Sequence, residues 1–183
     1  LKAGKFMLGA STVTMQLAKN VFLDRRKQLS RKVQEAVLTA WLEQAMTKTE
    51  ILELYLNVIE FGPDLYGIGP ASWHYFGRPP SELDPLESTF LISILPAPVR
   101  RHSMWDVGSA SAPYLDYLRF LLKEEHRRGK LDDEEYQAAS TAPLVFYRPG
   151  APVPVPRSSP GKGPIDTKGI DDPAYDPVWA PSN

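Results

Sequence analysis

Two short stretches of this sequence place side chains where chemistry on an anion becomes feasible. The first is Gly9-Ala10-Ser11-Thr12-Val13-Thr14-Met15-Gln16-Leu17-Ala18-Lys19-Asn20. A glycine followed by hydroxyl residues at a helix start leaves backbone amides and hydroxyls pointing outward as anion donors. Gln16 and Lys19, three positions apart, share a helix face with them, and phosphate is the anion such a set would fit. The same residues equally describe an ordinary capped surface helix with a solvated lysine. The second stretch is Arg31-Lys32-Val33-Gln34-Glu35. Two cations in a first helical turn oppose the helix dipole at a cost of ~0.3 to 1 kcal/mol each, so a bound diphosphate, held by both cations and the free amides, would compensate. Glu35, one turn beyond Arg31, can face the same place as acid, base or metal ligand. Taken by themselves, Arg31 and Glu35 also fit a surface ion pair worth ~0.3 to 0.5 kcal/mol.

The net charge of -1 conceals an asymmetry. Residues 1–35 carry eight Lys or Arg (Lys2, Lys5, Lys19, Arg25, Arg26, Lys27, Arg31, Lys32) against Asp24 and Glu35, a net of +6 that leaves -7 for the remainder. The front of the chain therefore seeks an anion: nucleic acid, acidic lipid or a pyrophosphate-bearing substrate. His74, His102 and His126 show no metal-ligand spacing and read as packed or surface residues. Trp73, Tyr75 and Phe76 read as core, and the run from Lys123 to Arg128 as the solvated end of a helix.

The elements that must hold these residues are helical. Thr47-Lys48-Thr49-Glu50 is a capping box, predicting a helix from 48 to about 57. Ser30 is placed to cap a helix over 31–46, whose Val33, Val37, Leu38, Ala40, Trp41, Leu42 and Ala45 form a broad apolar face suited to a central position. Further helices are expected near 11–20, 70–76, 84–95, 110–128 and 132–139, with breaks at Gly62-Pro63, Pro79-Pro80, Pro96-Ala97-Pro98 and Gly129. Period-2 alternation is nearly absent, so the expected class is all-α. At 183 residues, 43% hydrophobic and 23% charged, the composition suits one globular core plus unstructured excess. A domain of about 150 residues buries roughly 70% of its unfolded surface without metal or disulfide. The absence of cysteine excludes thiol catalysis and cysteine-ligated zinc. No apolar run reaches the roughly 20 residues of a spanning helix.

Nine of the eighteen prolines fall between Pro149 and Pro181. Residues 143–183 are accordingly expected to be a proline-rich tail, a linker or a strap over the domain formed by 1–142, with Ala151 to Pro156 as extended polyproline II and Tyr175 and Trp179 as local anchors.

Together with Ile51-Leu52-Glu53-Leu54-Tyr55-Leu56-Asn57, the two stretches resemble three successive motifs of the peptidoglycan glycosyltransferase domain, glycosyltransferase family 51, found in penicillin-binding proteins and in monofunctional transglycosylases. The likeness continues through Tyr75-Phe76-Gly77-Arg78 and the Pro96-Ala97-Pro98 bend to about residue 140. The resemblance implies a lysozyme-like all-α fold on the outer face of the cytoplasmic membrane, its periplasmic side. There it would polymerise lipid II into glycan strands and release undecaprenyl diphosphate. Its partners would be lipid II, the growing glycan strand, the membrane surface and other cell-wall synthesis proteins, with no nucleic acid. It implies Glu35 as the second catalytic carboxylate, aiding departure of the diphosphate directly or through a divalent cation, Mg or Mn. Gln16, Lys19, Arg31 and Lys32 would contact the diphosphate-sugar region, with Ser11 and Thr12 beside them. Lys27 stands where the family has a substrate-contacting Arg, and a lysine cannot give the same bidentate contact.

Ala10 and Met15 replace a glycine and a glutamine of the family pattern. The Glu that deprotonates the acceptor hydroxyl in the family lies upstream of Glu35, and residues 1–8 contain no acid, so the chain as given is expected to bind lipid II but not to polymerise it. Two other classes share the helical expectation: a lysozyme-like glycan-cleaving enzyme and a non-catalytic module that binds the lipid-linked precursor. The diphosphate cluster argues against the first, since a cleaving enzyme has no such group to hold. Periodicity and the diphosphate argument together predict that Glu35, Lys19, Arg31 and Lys32 line a single cleft.

Overall fold

The helix starts written in the sequence set the architecture. Thr47 accepts from the amide of Glu50 while Glu50 returns a bond to the amide of Thr47, a reciprocal cap that opens α3 (Lys48–Val58). The same device recurs with Asp84 and Glu87 at α5 (Pro85–Ile94), and with Asp132 and Glu135 at α9 (Asp133–Thr141). A computed structural model of the chain describes residues 13–22, 29–150 and 152, with backbone alone for 20–22 and 29–33.

Before α3 come α1 (Val13–Phe22) and α2 (Leu29–Ala45). After it come a two-stranded antiparallel pair, β1 (Glu60–Gly62) and β2 (Leu65–Tyr66), then α4 (Ile68–Phe76). Two short helices, α6 (Pro98–Arg101) and α7 (Ser103–Val107), and the longer α8 (Ala112–Arg127) separate α5 from α9. The all-α expectation holds. The small hairpin escapes the period-2 test because its strands are too short to show a period. Its turn is made by Pro63 and by Asp64, whose φ of 54° is a left-handed conformation that a short polar side chain tolerates.

Tyr75, Phe76, Phe90 and Phe146 pack as an aromatic cluster with Leu118 and Leu122 of α8 at the centre of the C-terminal half. Leu17, Ala18, Leu42, Ile51 and Tyr55 bury the contact of α1, α2 and α3. Phe146 belongs to an extended strap that follows α9: the amide of Tyr147 donates to the carbonyl of Tyr75, and the Trp105 indole donates to the carbonyl of Tyr147. The proline-rich remainder, with Tyr175 and Trp179, lies outside the described residues.

Three local expectations change. Helix α2 begins at Leu29, so Ser30 sits inside its first turn rather than at the cap. That helix is not central all round: Val37 and Trp41 are 64% and 59% exposed, because only one side of it meets α1 and α3. Trp73 is 53% exposed, since α4 turns Ala71, Ser72, Tyr75 and Phe76 inward and leaves position 73 on the opposite face. The bend at Pro96-Ala97-Pro98 is present, and the prolines there restart the chain as α6.

Candidate active site

The first motif folds as α1, and its inward face is formed by Thr14, Leu17 and Ala18, all buried. Gln16 is half-buried, and its side-chain Oε1 accepts a 2.9 Å hydrogen bond from the hydroxyl of Tyr55 in α3. The carbonyl end of Gln16 is thus occupied, and the amide nitrogen is the end able to donate to an anion. Burial raises the pKa of Tyr55, which keeps its hydroxyl a donor throughout the neutral range. Lys19 is on the surface. Ser11, Thr12 and Lys27 lie outside the described residues.

The second motif forms the start of α2. Arg31 and Lys32 occupy its first turn, where the described structure is backbone. Glu35 follows one turn later with 6% of its surface exposed, while Val37 and Trp41 of the same helix face solvent. Thr39 donates from its hydroxyl to the backbone carbonyl of Glu35 at 2.7 Å, one turn back along the helix. A sequence shaped by stability alone would exchange these placements, because burying a carboxylate costs free energy that burying valine or tryptophan would contribute. The expected convergence of Glu35, Lys19, Arg31 and Lys32 depends on side chains of which two lie outside the described set.

The third motif supplies the support. Ile51 and Tyr55 of α3 are buried, and α3 packs against α1, so the third motif supports the helix that carries the first. Tyr55 was missed as a site-supporting residue by charge and spacing; its signal is only that it shares a helix face with Ile51. An apolar cavity of about 530 Å³, lined by Val13, Thr14, Glu43, Met46, Lys48, Ile51 and Leu52, opens between the same three helices and includes none of the predicted site residues. Among the described residues no group of three or more His, Cys, Asp or Glu is arranged to hold a metal.

Sequence reasoning also passed over two polar pairs. Arg78 and Glu87 form an ion pair at 3.6 Å with both side chains 2–3% exposed, beneath the turn that joins α4 to α5. His74 and His102 meet at 3.0 Å through their Nε2 atoms. Neither pair could be read from local spacing, because the partners come from different elements.

Fold and site together define an all-α domain in which a helix start rich in cations precedes a buried carboxylate, braced by a tyrosine–glutamine bond to a neighbouring motif helix. Residues 1–113 match the family model described as Transglycosylase, and the chain belongs to that family. It is 49% identical over 98 residues to a biosynthetic peptidoglycan transglycosylase of Nitrosomonas eutropha, covering 54% of this chain and 40% of that protein. It is 44% identical over 118 residues to a protein of the same description from an Azoarcus species, covering 64% and 50%. Penicillin-binding protein 1A of Pseudomonas aeruginosa is 35% identical over 144 residues, 79% of this chain but 17% of that protein. The chain therefore spans half or less of the length of these relatives.

Proposed function

We propose that this chain is the greater part of a glycosyltransferase domain that polymerises lipid II into peptidoglycan strands, releasing undecaprenyl diphosphate on the outer face of the cytoplasmic membrane. The observation that carries the reading is the burial of Glu35 one turn after Arg31 and Lys32, while apolar residues of the same helix stay exposed. Carboxylates are rarely enclosed by a fold, so one buried on a helix that leaves valine and tryptophan in solvent is a candidate for a role in the site. Membership of the Transglycosylase family and the description of its relatives as biosynthetic peptidoglycan transglycosylases support the same reaction class.

In this mechanism the acceptor hydroxyl attacks the anomeric carbon of the lipid-linked donor, its proton passes to a general base, the carboxylate that the family resemblance places ahead of Glu35 in the sequence, and the bond to the diphosphate breaks. Lys19, Arg31 and Lys32, with Ser11, Thr12 and the amide nitrogen of Gln16, hold the negative charge that grows on the leaving diphosphate. Lys27 adds charge at the rim. Glu35 acts on the diphosphate side, and were a divalent cation (Mg or Mn) bound there, Glu35 would help to hold it and the ion would supply further positive charge to the leaving group. Residues 1–142 form the catalytic domain and the segment from 143 onward a tail, with 144–148 serving as a strap. No helix among the described residues is long and apolar enough to cross a membrane.

The test is to incubate the full-length parent with labelled lipid II and separate the products by length. Glycan polymer that disappears when Arg31 and Lys32 are both replaced by Ala supports the assignment. Cleavage of preformed glycan without polymerisation would place the protein in the lysozyme-like class, and binding without turnover in the precursor-binding class.

A further inference from the structure

The His74–His102 contact has a geometry that sets how many protons it accepts. The Nε2 atoms are 3.0 Å apart while the ring centroids are 5.1 Å apart, so the two nitrogens point almost head to head. A metal ion between imidazoles in that alignment would need Nε2 atoms separated by about 4 Å, from Zn–N bonds of roughly 2.0 to 2.1 Å each. One hydrogen, in contrast, fits a 3.0 Å gap as an N–H···N bond. On the far side of His102, Nδ1 lies 3.1 Å from a carboxylate oxygen of Asp106, an acceptor that requires the Nδ1–H form.

The contact is also a mechanical junction. His74 belongs to α4, and His102 sits where α6 gives way to α7. Beneath His102 lies the backbone of Gly62 in β1, so close that a side-chain carbon there would stand 2.9 Å from the His102 ring. Trp105 of α7 packs against His74 with centroids 4.1 Å apart and is covered by the Arg148 guanidinium, which also donates to the Trp105 carbonyl. The charged and titratable groups facing the pair are Asp106 from α7, Tyr75 from α4 and Arg148 from the strap. Arg101 of α6 is turned away, donating to the carbonyl of Ser93.

We propose that His74 and His102 form an acid-operated latch, which clamps α6 and α7 to α4 and β1 while the rings share one proton between their Nε2 atoms and opens when each ring carries its own. The neutral pair is complete: His102 donates through Nδ1 to Asp106, and His74 donates through Nε2 to His102. A first added proton is accommodated, because His102 then donates from both nitrogens and His74 accepts. A second sets N–H against N–H, and charge against charge, across 3.0 Å. Burial lowers the pKa of His74, the charges of His102 and Arg148 lower it further, and Asp106 offsets this in part. Since the folded-state value is depressed, the contribution of His74 to stability is complete above the ordinary histidine value of 6.5 and is lost as pH falls below it toward the lowered value.

Hydrogen exchange of the full chain at about pH 7.5 and about pH 5, corrected for the intrinsic pH dependence of exchange, tests the latch. Peptides covering 98–108 and 144–148 should lose protection at the lower pH, by up to about tenfold per pH unit between the ordinary histidine value of 6.5 and the lowered value of His74, while the core of α8 keeps its protection. The His74→Gln variant should hold protection at both pH values, because the glutamine carbonyl accepts from a fully protonated His102. Should that variant fail to fold, nitrogen-15 spectra of the wild-type imidazoles give a second readout: the second proton taken up by the pair must coincide with loss of the Nε2 contact. Equal protection of wild type at both pH values, an equal loss in His74→Gln, or two protons bound with the contact intact would each overturn the proposal.

Discussion

The hydroxyl of Tyr55 donates to the side-chain carbonyl of Gln16 at 2.9 Å, joining α3 to α1 across 39 positions of sequence. The bond orients Gln16 within the motif proposed to meet the diphosphate. Tyr55→Phe keeps the ring in the core but leaves the Gln16 carbonyl without this donor, and it should lower unfolding stability by about 0.5 to 1.5 kcal/mol in urea titrations. In the full-length parent it should also raise KM for lipid II more than it lowers kcat. A parent enzyme with unaltered kinetics would show that Gln16 does not need this support.

Glu35→Gln in the full-length parent preserves shape but can neither carry charge nor accept a proton. Polymerisation of lipid II should fall by about a hundred to ten thousand fold, with binding of the precursor largely retained. Measuring turnover and binding on the same preparation separates the two effects, and near-normal turnover removes Glu35 from the mechanism.

Arg78 and Glu87 lie almost without solvent on either side of the α4–α5 turn. Replacing Arg78 takes a cation away from Glu87, and replacing Glu87 takes an anion away from Arg78 together with the acceptor of the Asp84 amide, so Arg78→Met or Glu87→Leu should cost about 3 to 5 kcal/mol. The double replacement should cost clearly less than the sum of the two single changes, because neither member of the pair then remains to face the loss of the other. Equilibrium denaturation of the three variants decides this, and additive losses would mean that the two charges do not act as a pair.

Gly77 ends α4 at a φ of 68°, and a Cβ there would come within 2.7 Å of the Tyr147 ring. Gly77→Ala should therefore destabilise the chain by about 1 to 3 kcal/mol, through the left-handed backbone and displacement of the strap. The melting temperature measures the first effect. Faster proteolysis near Tyr147 reports the second.

Local physics made much of the frame legible. Thr47 and Glu50 announce a helix start because the two residues satisfy each other's amides within one turn, and no distant partner is needed. The helices near 11–20, 84–95, 110–128 and 132–139 follow from periodicity and from breaks at proline and glycine in the same local way. The residues proposed for the site stand out in the sequence because Arg31, Lys32 and Glu35 lie within a turn or so of each other, where helix geometry alone predicts a shared face.

What tertiary structure alone decided is which face of each helix meets another element. Val37 and Trp41 look like core by type, yet α2 turns them outward and buries Glu35 instead. Tyr55 with Gln16, Arg78 with Glu87, and His74 with His102 are pairs drawn from different elements, and no spacing rule brings them together. Local sequence specifies where a helix begins and what lies on its surface, because those energies come from neighbours in the chain. Partner choice comes from packing the whole set at once, and it is that packing which makes Tyr55 a brace and the two histidines a latch.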